Sequence, residues 1–404
     1  MDIIERSKEL IIEIAKVGRK YSPSPSLEKI FPFEYYCNSN GNLIQENLNK
    51  NDGPWTRREI LARYLLVNAV LDQGPDSEGV GLFLREVTNY LYQREIRIFH
   101  RPLDFFKELG ISIHRILEKH SGIKKIRAED WARENESSPS KYNLFFAQSP
   151  RGIISINQVL DYSLHRWGVP LCLPLLLEKD QQKDQRESAE PLIEYLENYT
   201  SAEIARRKLK DHERYGLGSA IGNKACHLFI KWYIHTFKLV KRKDNSWGPF
   251  SYELPFDSNV GRILFRNGFL LECADLSDYH NWNVIRKIGG KRGTSYIRVT
   301  AIRGKKSERF SNLPNLMKTY EVICLEHLRI RKREPKRIEI QHIPAVLLFN
   351  TGYGIGDLDD GLMVIGTKFC RNTPEPECHQ CPIKEYCVGF KKRKELIMDY
   401  TTSG

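Results

Sequence analysis

Four cysteines near the C-terminus constrain the fold more than any other feature of this sequence. Cys370, Cys378, Cys381 and Cys387 follow the pattern Cys-x7-Cys-x2-Cys-x5-Cys. Four thiolates so close in sequence can close around one centre, either a tetrahedral zinc ion or a [4Fe–4S] cluster. A fold for this chain therefore has to bring these four side chains together.

The rest of the sequence favours a metal site over disulfide bonds. The first residues lack a secretory signal, and no run of about 18 apolar residues is long enough to span a membrane. We therefore expect a soluble intracellular protein, cytoplasmic or nucleoid-associated, in which thiols stay reduced and clustered cysteines bind metal. The other cysteines are scattered and are interpreted as core or surface thiols: Cys37, Cys172, Cys226, Cys273 and Cys324.

The charge balance indicates a polyanionic partner. Lys and Arg total 63 against 51 Asp and Glu, which gives the 404-residue chain a net charge of +12. Such a balance suits a nucleic acid or an anionic membrane surface, although a solvated basic surface gives the same count.

Helical spacing of apolar residues predicts a mainly α fold. A capping box is expected at the second helix, with Thr56 as N-cap and Glu59 as its partner. Residues 270–310 differ, because residues 295–303 alternate and are rich in β-branched side chains, which predicts a small β insertion. Helices are predicted over residues 2–17, 57–71, 79–95, 104–120, 152–178, 191–213, 224–237, 260–267, 312–328, 342–350 and 359–366.

A glycine-containing turn precedes one of these helices. Residues 215–226 read Tyr-Gly-Leu-Gly-Ser-Ala-Ile-Gly-Asn-Lys-Ala-Cys, so Lys224 lies in the first turn of the helix. Backbone N–H groups in such a turn bind phosphate without side-chain charge. Taken alone the signal is weak, since most first-turn lysines are solvated. The candidate phosphate-binding residues are Gly218, Ala220, Gly222 and Asn223.

A single aspartate opens a later helix. Residues 254–262 read Leu-Pro-Phe-Asp-Ser-Asn-Val-Gly-Arg and place Asp257 at the helix start. An aspartate there is most often an N-cap, although the same carboxylate can also act on a neighbouring substrate.

Taken in chain order, these features resemble the endonuclease III superfamily of helix–hairpin–helix DNA glycosylases. Ile-Gly-Asn-Lys at residues 221–224 is similar to the hairpin that precedes the family's lysine, and residues 256–262 are similar to the segment of its aspartate. The resemblance implies that Lys224 attacks the sugar C1′ to form a Schiff base, while Asp257 stabilises positive charge on the sugar or takes a proton from the amine. One departure is Ala220, where the hairpin's first glycine is expected.

Two further segments carry the resemblance. Residues 71–76 are similar to the end of the family's first core helix, which implies that Gln73 reaches toward the duplex where the target base leaves. One tight Cys-x2-Cys knuckle between two wider gaps resembles the family's C-terminal loop and implies a [4Fe–4S] cluster in preference to zinc. Arg262 and Arg371 are expected to contact DNA.

These resemblances imply a DNA repair glycosylase with an associated lyase activity. It would excise a damaged or mismatched base, flipped out of duplex DNA, and is expected to act as a monomer without a membrane partner. The alternative is a silent or monofunctional DNA-binding relative that recognises an unusual or modified base. The expected domains are residues 1–54 packing with the C-terminal domain, 55–268 with the hairpin and Asp257, the β-rich insertion 269–310, and 311–404 with the cluster loop. The sequence does not specify the base.

Overall fold

Helices make up most of the chain that the structure, a computed structural model, describes. This confirms the expected mainly α class. None of the helices in these ranges combines the length and the apolar character that a membrane crossing demands. The ranges are residues 3–21, 31–72, 77–101, 146–149, 152–155, 191–210, 223–242, 244–255, 259–260, 263–264, 267, 269, 343–371, 377–387 and 390.

The contacts divide the chain into two compact units. Residues 1–24 and 252–404 form one, called here the split unit, and residues 25–251 form the other, the continuous unit. The domain boundaries expected after residues 54, 268 and 310 stay predictions. In chain order the helices are α1 (Ile3–Tyr21), α2 (Arg57–Leu71), α3 (Ser77–Tyr92), α4 (Pro191–Glu197), α5 (Ala202–Lys210), α6 (Asn223–Lys231), α7 (Ile343–Leu347) and α8 (Ile355–Lys368).

In the split unit, α1 packs along α8. The backbones come so close that a Cβ on Gly18 would lie 1.9 Å from the carbonyl oxygen of Asp357. The guanidinium of Arg19 binds Asp357 Oδ2 at 2.8 Å and lies over the ring of Tyr353. The face of α1 that the unit buries consists of aliphatic residues at helical spacing: Leu10, Ile11, Ile14 and Val17.

In the continuous unit, α2 forms the centre, and residues 58–70 are all buried. α4 and α6 pack against α2, and α5 packs against α4 and α6. The helix predicted over 224–237 is α6 followed by a π-helical turn, Trp232–Thr236. A helix buried on all sides gains little from an apolar stripe, so its neighbours determine its position.

The expected capping box at α2 is half correct. Thr56 Oγ1 accepts a hydrogen bond from the Glu59 N–H at 3.3 Å, which confirms the N-cap. The Glu59 carboxylate, however, turns into the core, where it accepts hydrogen bonds from Arg63 Nε at 2.7 Å and from the N–H groups of Leu192 and Ile193, each at 3.1 Å. Glu59 therefore joins α2 to two buried first-turn N–H groups of α4, which have no partner within their own helix.

Two antiparallel strands correct one predicted helix. β3 (Phe146–Ser149) pairs with β4 (Gly152–Ser155), so the helix predicted over 152–178 is wrong at its start. That prediction depended on the leucines further along, whereas Ile153 and Ile154 are β-branched residues that follow Pro150 and Gly152 in the sequence. A shorter pair, β1 (Asn51–Asp52) and β2 (Trp55–Thr56), precedes α2. The β insertion predicted over 270–310 lies outside the described residues.

Asp52 of β1 organises an aromatic cluster beside this hairpin. It accepts hydrogen bonds from the hydroxyls of Tyr35 and Tyr36, the latter at 2.7 Å. The Nε2 atom of buried His100 lies 3.1 Å from the same carboxylate oxygen, Oδ2. On its other side, His100 Nδ1 lies 2.6 Å from the hydroxyl of Tyr92.

Candidate functional site

Lys224 lies beside the C-terminal end of α2. It is the second residue of α6, and its Nζ atom is 3.6 Å from Asp72 Oδ2. Asp72 is the C-cap residue of α2, and its N–H donates to the carbonyl oxygen of Asn68 at 3.0 Å. The Lys224 side chain is 28% exposed and that of Asp72 is 4% exposed. The cation therefore reaches solvent from one side while the carboxylate is enclosed.

Local packing explains this arrangement. Ala225, Cys226, Phe229 and Ile230 are buried and hold α6 against the interior of the continuous unit. The last turn of α2 is equally buried and leaves Asp72 little room to move. The two charges therefore meet because two apolar helices pack against each other.

Each of these two charges lies at a helix end where the macrodipole of that helix disfavours a charge of its sign. The ammonium is at the N-terminus of α6, and the carboxylate is at the C-terminus of α2. Their attraction offsets both unfavourable terms. The N-terminus of α6 also favours the neutral amine, which is the nucleophilic form of a lysine.

Several predicted site residues lie outside the described residues. These are Asp257, Gln73, Gly218, Ala220, Gly222 and Arg262. Asn223 is the first residue of α6, next to Lys224. Residues 259–260 and 263–264 are helical, within the helix predicted to follow Asp257. Asn259 Nδ2 donates to the Leu362 carbonyl oxygen at 3.4 Å. The contact of Asp257 with Lys224 stays a prediction.

The four predicted metal ligands line one cleft of the split unit. Cys370 follows the C-terminus of α8, Cys378 begins one 3₁₀ turn, Cys378–Gln380, and Cys387 follows another, Lys384–Tyr386. Cys378 and Cys381 are buried, and the other two are half-buried. The remainder of the cleft wall is mostly apolar and comprises Ile263, Asn267, Ile365, Phe369, Ile383, Lys384 and Phe390.

Two properties of the cysteines affect metal binding, namely the distances between their sulfur atoms and the burial of their thiols. A zinc ion with Zn–S bonds of about 2.3 Å needs sulfurs about 3.8 Å apart. Within the described part of the chain, no three of these sulfurs lie within 4.8 Å of one another. Burial raises the pKa of Cys381 and of Cys387 to about 12, so binding a metal has to release protons. Among the described residues, the four cysteines therefore line one cleft without being gathered around a single point.

Arg371, the predicted phosphate contact, directly follows Cys370 in the sequence. Its Nε donates to the Thr367 carbonyl oxygen at 3.0 Å, and its Nη1 lies 3.6 Å from the carboxylate of Glu377. The side chain is 54% exposed, so part of the guanidinium reaches solvent. Glu377 competes with a phosphate for this arginine.

Asp72 is the site residue that sequence reasoning missed. The segment was selected for Gln73, and the aspartate before it was interpreted as the end of the helix. One signal was present, because an acidic residue at a helix C-terminus opposes the usual charge preference.

Comparison with protein-family models, with curated proteins and with solved structures gives no match to this chain.

Proposed function

We propose that this protein is a DNA glycosylase with an associated lyase activity, using Lys224 as the Schiff-base nucleophile. One observation carries the proposal. Asp72, the residue directly before Gln73, lies 3.6 Å from the Lys224 amine. Two segments far apart in sequence, which the resemblance assigns to base exit and to nucleophilic attack, are thus neighbours in space.

The proposed reaction requires the nucleophile to lie close to the place where the base leaves. Loss of a base builds positive charge on the sugar, which in this proposal the carboxylate of Asp257 stabilises. Water then replaces the base at C1′, and the sugar ring opens to an aldehyde. The neutral amine of Lys224 adds to this C1′ carbonyl, and loss of water leaves a protonated Schiff base. The Schiff base acidifies the C2′ proton, and β-elimination releases the 3′ phosphate.

The net charge and the cysteine cleft support the same proposal. A net charge of +12 suits a duplex whose phosphates are gripped without sequence readout. The four cysteines, which line one cleft, would hold the [4Fe–4S] cluster that the resemblance implies. When bound, the cluster supplies a cross-link for the C-terminal loop.

Borohydride trapping on a duplex with one abasic site tests the proposal. Borohydride reduces a Schiff base to a stable amine, so we expect a covalent protein–DNA adduct with the wild-type chain. Lys224→Ala should remove the adduct. Lys208→Ala, at an exposed position of α5, is the matched control and should retain it.

Absence of the adduct in the wild type would overturn the lyase assignment. Duplex binding without an adduct would favour the silent or monofunctional DNA-binding relative. A panel of lesion-containing duplexes, scored for base release, then separates those two and identifies the base.

A further inference from the structure

We propose that Asp72 positions Lys224 and holds its proton while the Schiff base forms. This inference rests on the proposed function and adds a residue that the resemblance does not assign. Asp72 is enclosed at 4% exposure, while Lys224 reaches solvent at 28%. The carboxylate is therefore fixed, and the amine can move between it and a substrate.

The stability of α2 does not explain Asp72. A carboxylate at a helix C-terminus opposes the dipole, so the charge of Asp72 does not stabilise α2. Enclosing a carboxylate is also costly unless a cation compensates it. Lys224 provides a cation 3.6 Å from this carboxylate, so we interpret the two residues as a pair.

The separation suits proton transfer followed by release. At 3.6 Å the pair is in ionic contact but longer than a hydrogen bond. A small rotation of the flexible lysine chain closes this gap or swings the amine toward C1′. The flexible side chain thus provides the movement that a nucleophile requires.

Protons are conserved in the formation of the Schiff base. Asp72 accepts one proton from the Lys224 ammonium, and the amine lone pair forms the bond to C1′. The C1′ carbonyl oxygen becomes a hydroxyl by taking a solvent proton, and it leaves as water with the proton returned from Asp72. The iminium nitrogen keeps the positive charge, and the second amine proton goes to solvent.

The elements that pack against α6 carry several other charged groups. From α5, Glu203 binds Arg206 and Arg207 and lies 3.4 Å from His227, one turn along α6. Glu59 and Arg63 pair with each other in the N-terminal half of α2, while Lys231 ends α6 and His235 lies in the π-helical turn. Within the described ranges, Asp72 is a carboxylate in ionic contact with Lys224.

The test is the pH profile of borohydride trapping on the abasic-site duplex, measured for Asp72→Asn and Asp72→Glu. In Asp72→Asn the ammonium loses a nearby anion, so the acidic limb should move about one pH unit or more lower. The plateau rate should fall about tenfold or more because the proton acceptor is lost. In Asp72→Glu the acidic limb of the profile should stay near its wild-type pH. The trapping rate should be lower than that of the wild type. Asp244→Asn, at an exposed position, is the control and should match the wild type.

Each remaining outcome overturns one proposal or both. An Asp72→Asn profile that superimposes on the wild type, or is only scaled down without a shift, overturns the role of Asp72 alone. If Asp72→Asn does not fold, an unchanged trapping rate in Asp72→Glu overturns it as well. If the wild type forms no adduct, the lyase proposal fails and the role of Asp72 fails with it.

Discussion

The backbone of Gly361 in α8 lies directly against the carbonyl oxygen of Ile14 in α1. A Cβ on Gly361 would be 2.0 Å from that oxygen, far inside van der Waals contact. Because backbone rather than a flexible side chain is in the way, the helices have to separate to admit a methyl group.

Gly361→Ala should therefore destabilise the split unit, by about 1–3 kcal/mol or more. Met363→Ala, at a 39% exposed position of the same helix, should change stability by less than about 0.5 kcal/mol. Chemical denaturation followed by circular dichroism measures both. Equal stability of the two variants would contradict the close approach of α1 and α8.

Glu59 should be a sensitive position of the continuous unit. Its carboxylate is fully buried and binds Arg63 together with two N–H groups of α4. Glu59→Ala leaves the guanidinium buried and unpaired, so we expect a loss of about 3–5 kcal/mol or failure to fold. Glu34→Ala removes one partner of a surface pair with Arg85 and should cost at most about 1 kcal/mol. Denaturant midpoints compare the two, and similar losses would count against the buried network.

Asp52 should give the protein a measurable acid sensitivity. Burial by itself raises the pKa of Asp52, but the hydrogen bonds from His100, Tyr35 and Tyr36 outweigh burial, and the net pKa is lowered. A lowered pKa contributes stability that is fully present above the unfolded pKa of about 4 and is lost as the pH falls below it. Asp52→Asn should thus be about 1–3 kcal/mol less stable than the wild type at pH 7.

The difference between Asp52→Asn and the wild type should narrow as the pH falls from 4 to 2. The other carboxylates titrate in both proteins, so their contribution cancels when the two unfolding free energies are subtracted at each pH. Unfolding free energies measured across this range test the sign, and a gap that widens on acidification would refute the assignment.

The cysteine cleft predicts a coloured protein. A preparation purified without oxygen should contain iron and sulfide and should absorb visible light, because Fe–S clusters do and zinc does not. Cys381→Ser removes a buried ligand and should abolish the colour, whereas Cys37→Ser, far away in sequence, should retain it. A colourless wild-type protein with one zinc ion would rule out the cluster.

Prediction from the sequence succeeded where residues close together in the chain determine the local structure. Thr56 caps α2 because a hydroxyl three residues before an N–H suffices. The four cysteines that line one cleft all lie between residues 370 and 387 of the sequence. It failed where the partner came from a distant segment. Glu59 has the spacing of a capping box, yet the N–H groups of α4 and Arg63 provide stronger partners. The pairing of Lys224 with Asp72 depends on how α6 packs against α2, which no local pattern encodes.

The contact between α1 and α8 has a consequence for biosynthesis. A ribosome releases α1 first and α8 only after residues 22–354 have been made. During that interval the aliphatic stripe that α8 covers is without its final partner, and a chaperone or another temporary surface has to shield it. For the same reason, a fragment beginning at residue 252 should need residues 1–24, supplied as a separate peptide, before it acquires native structure.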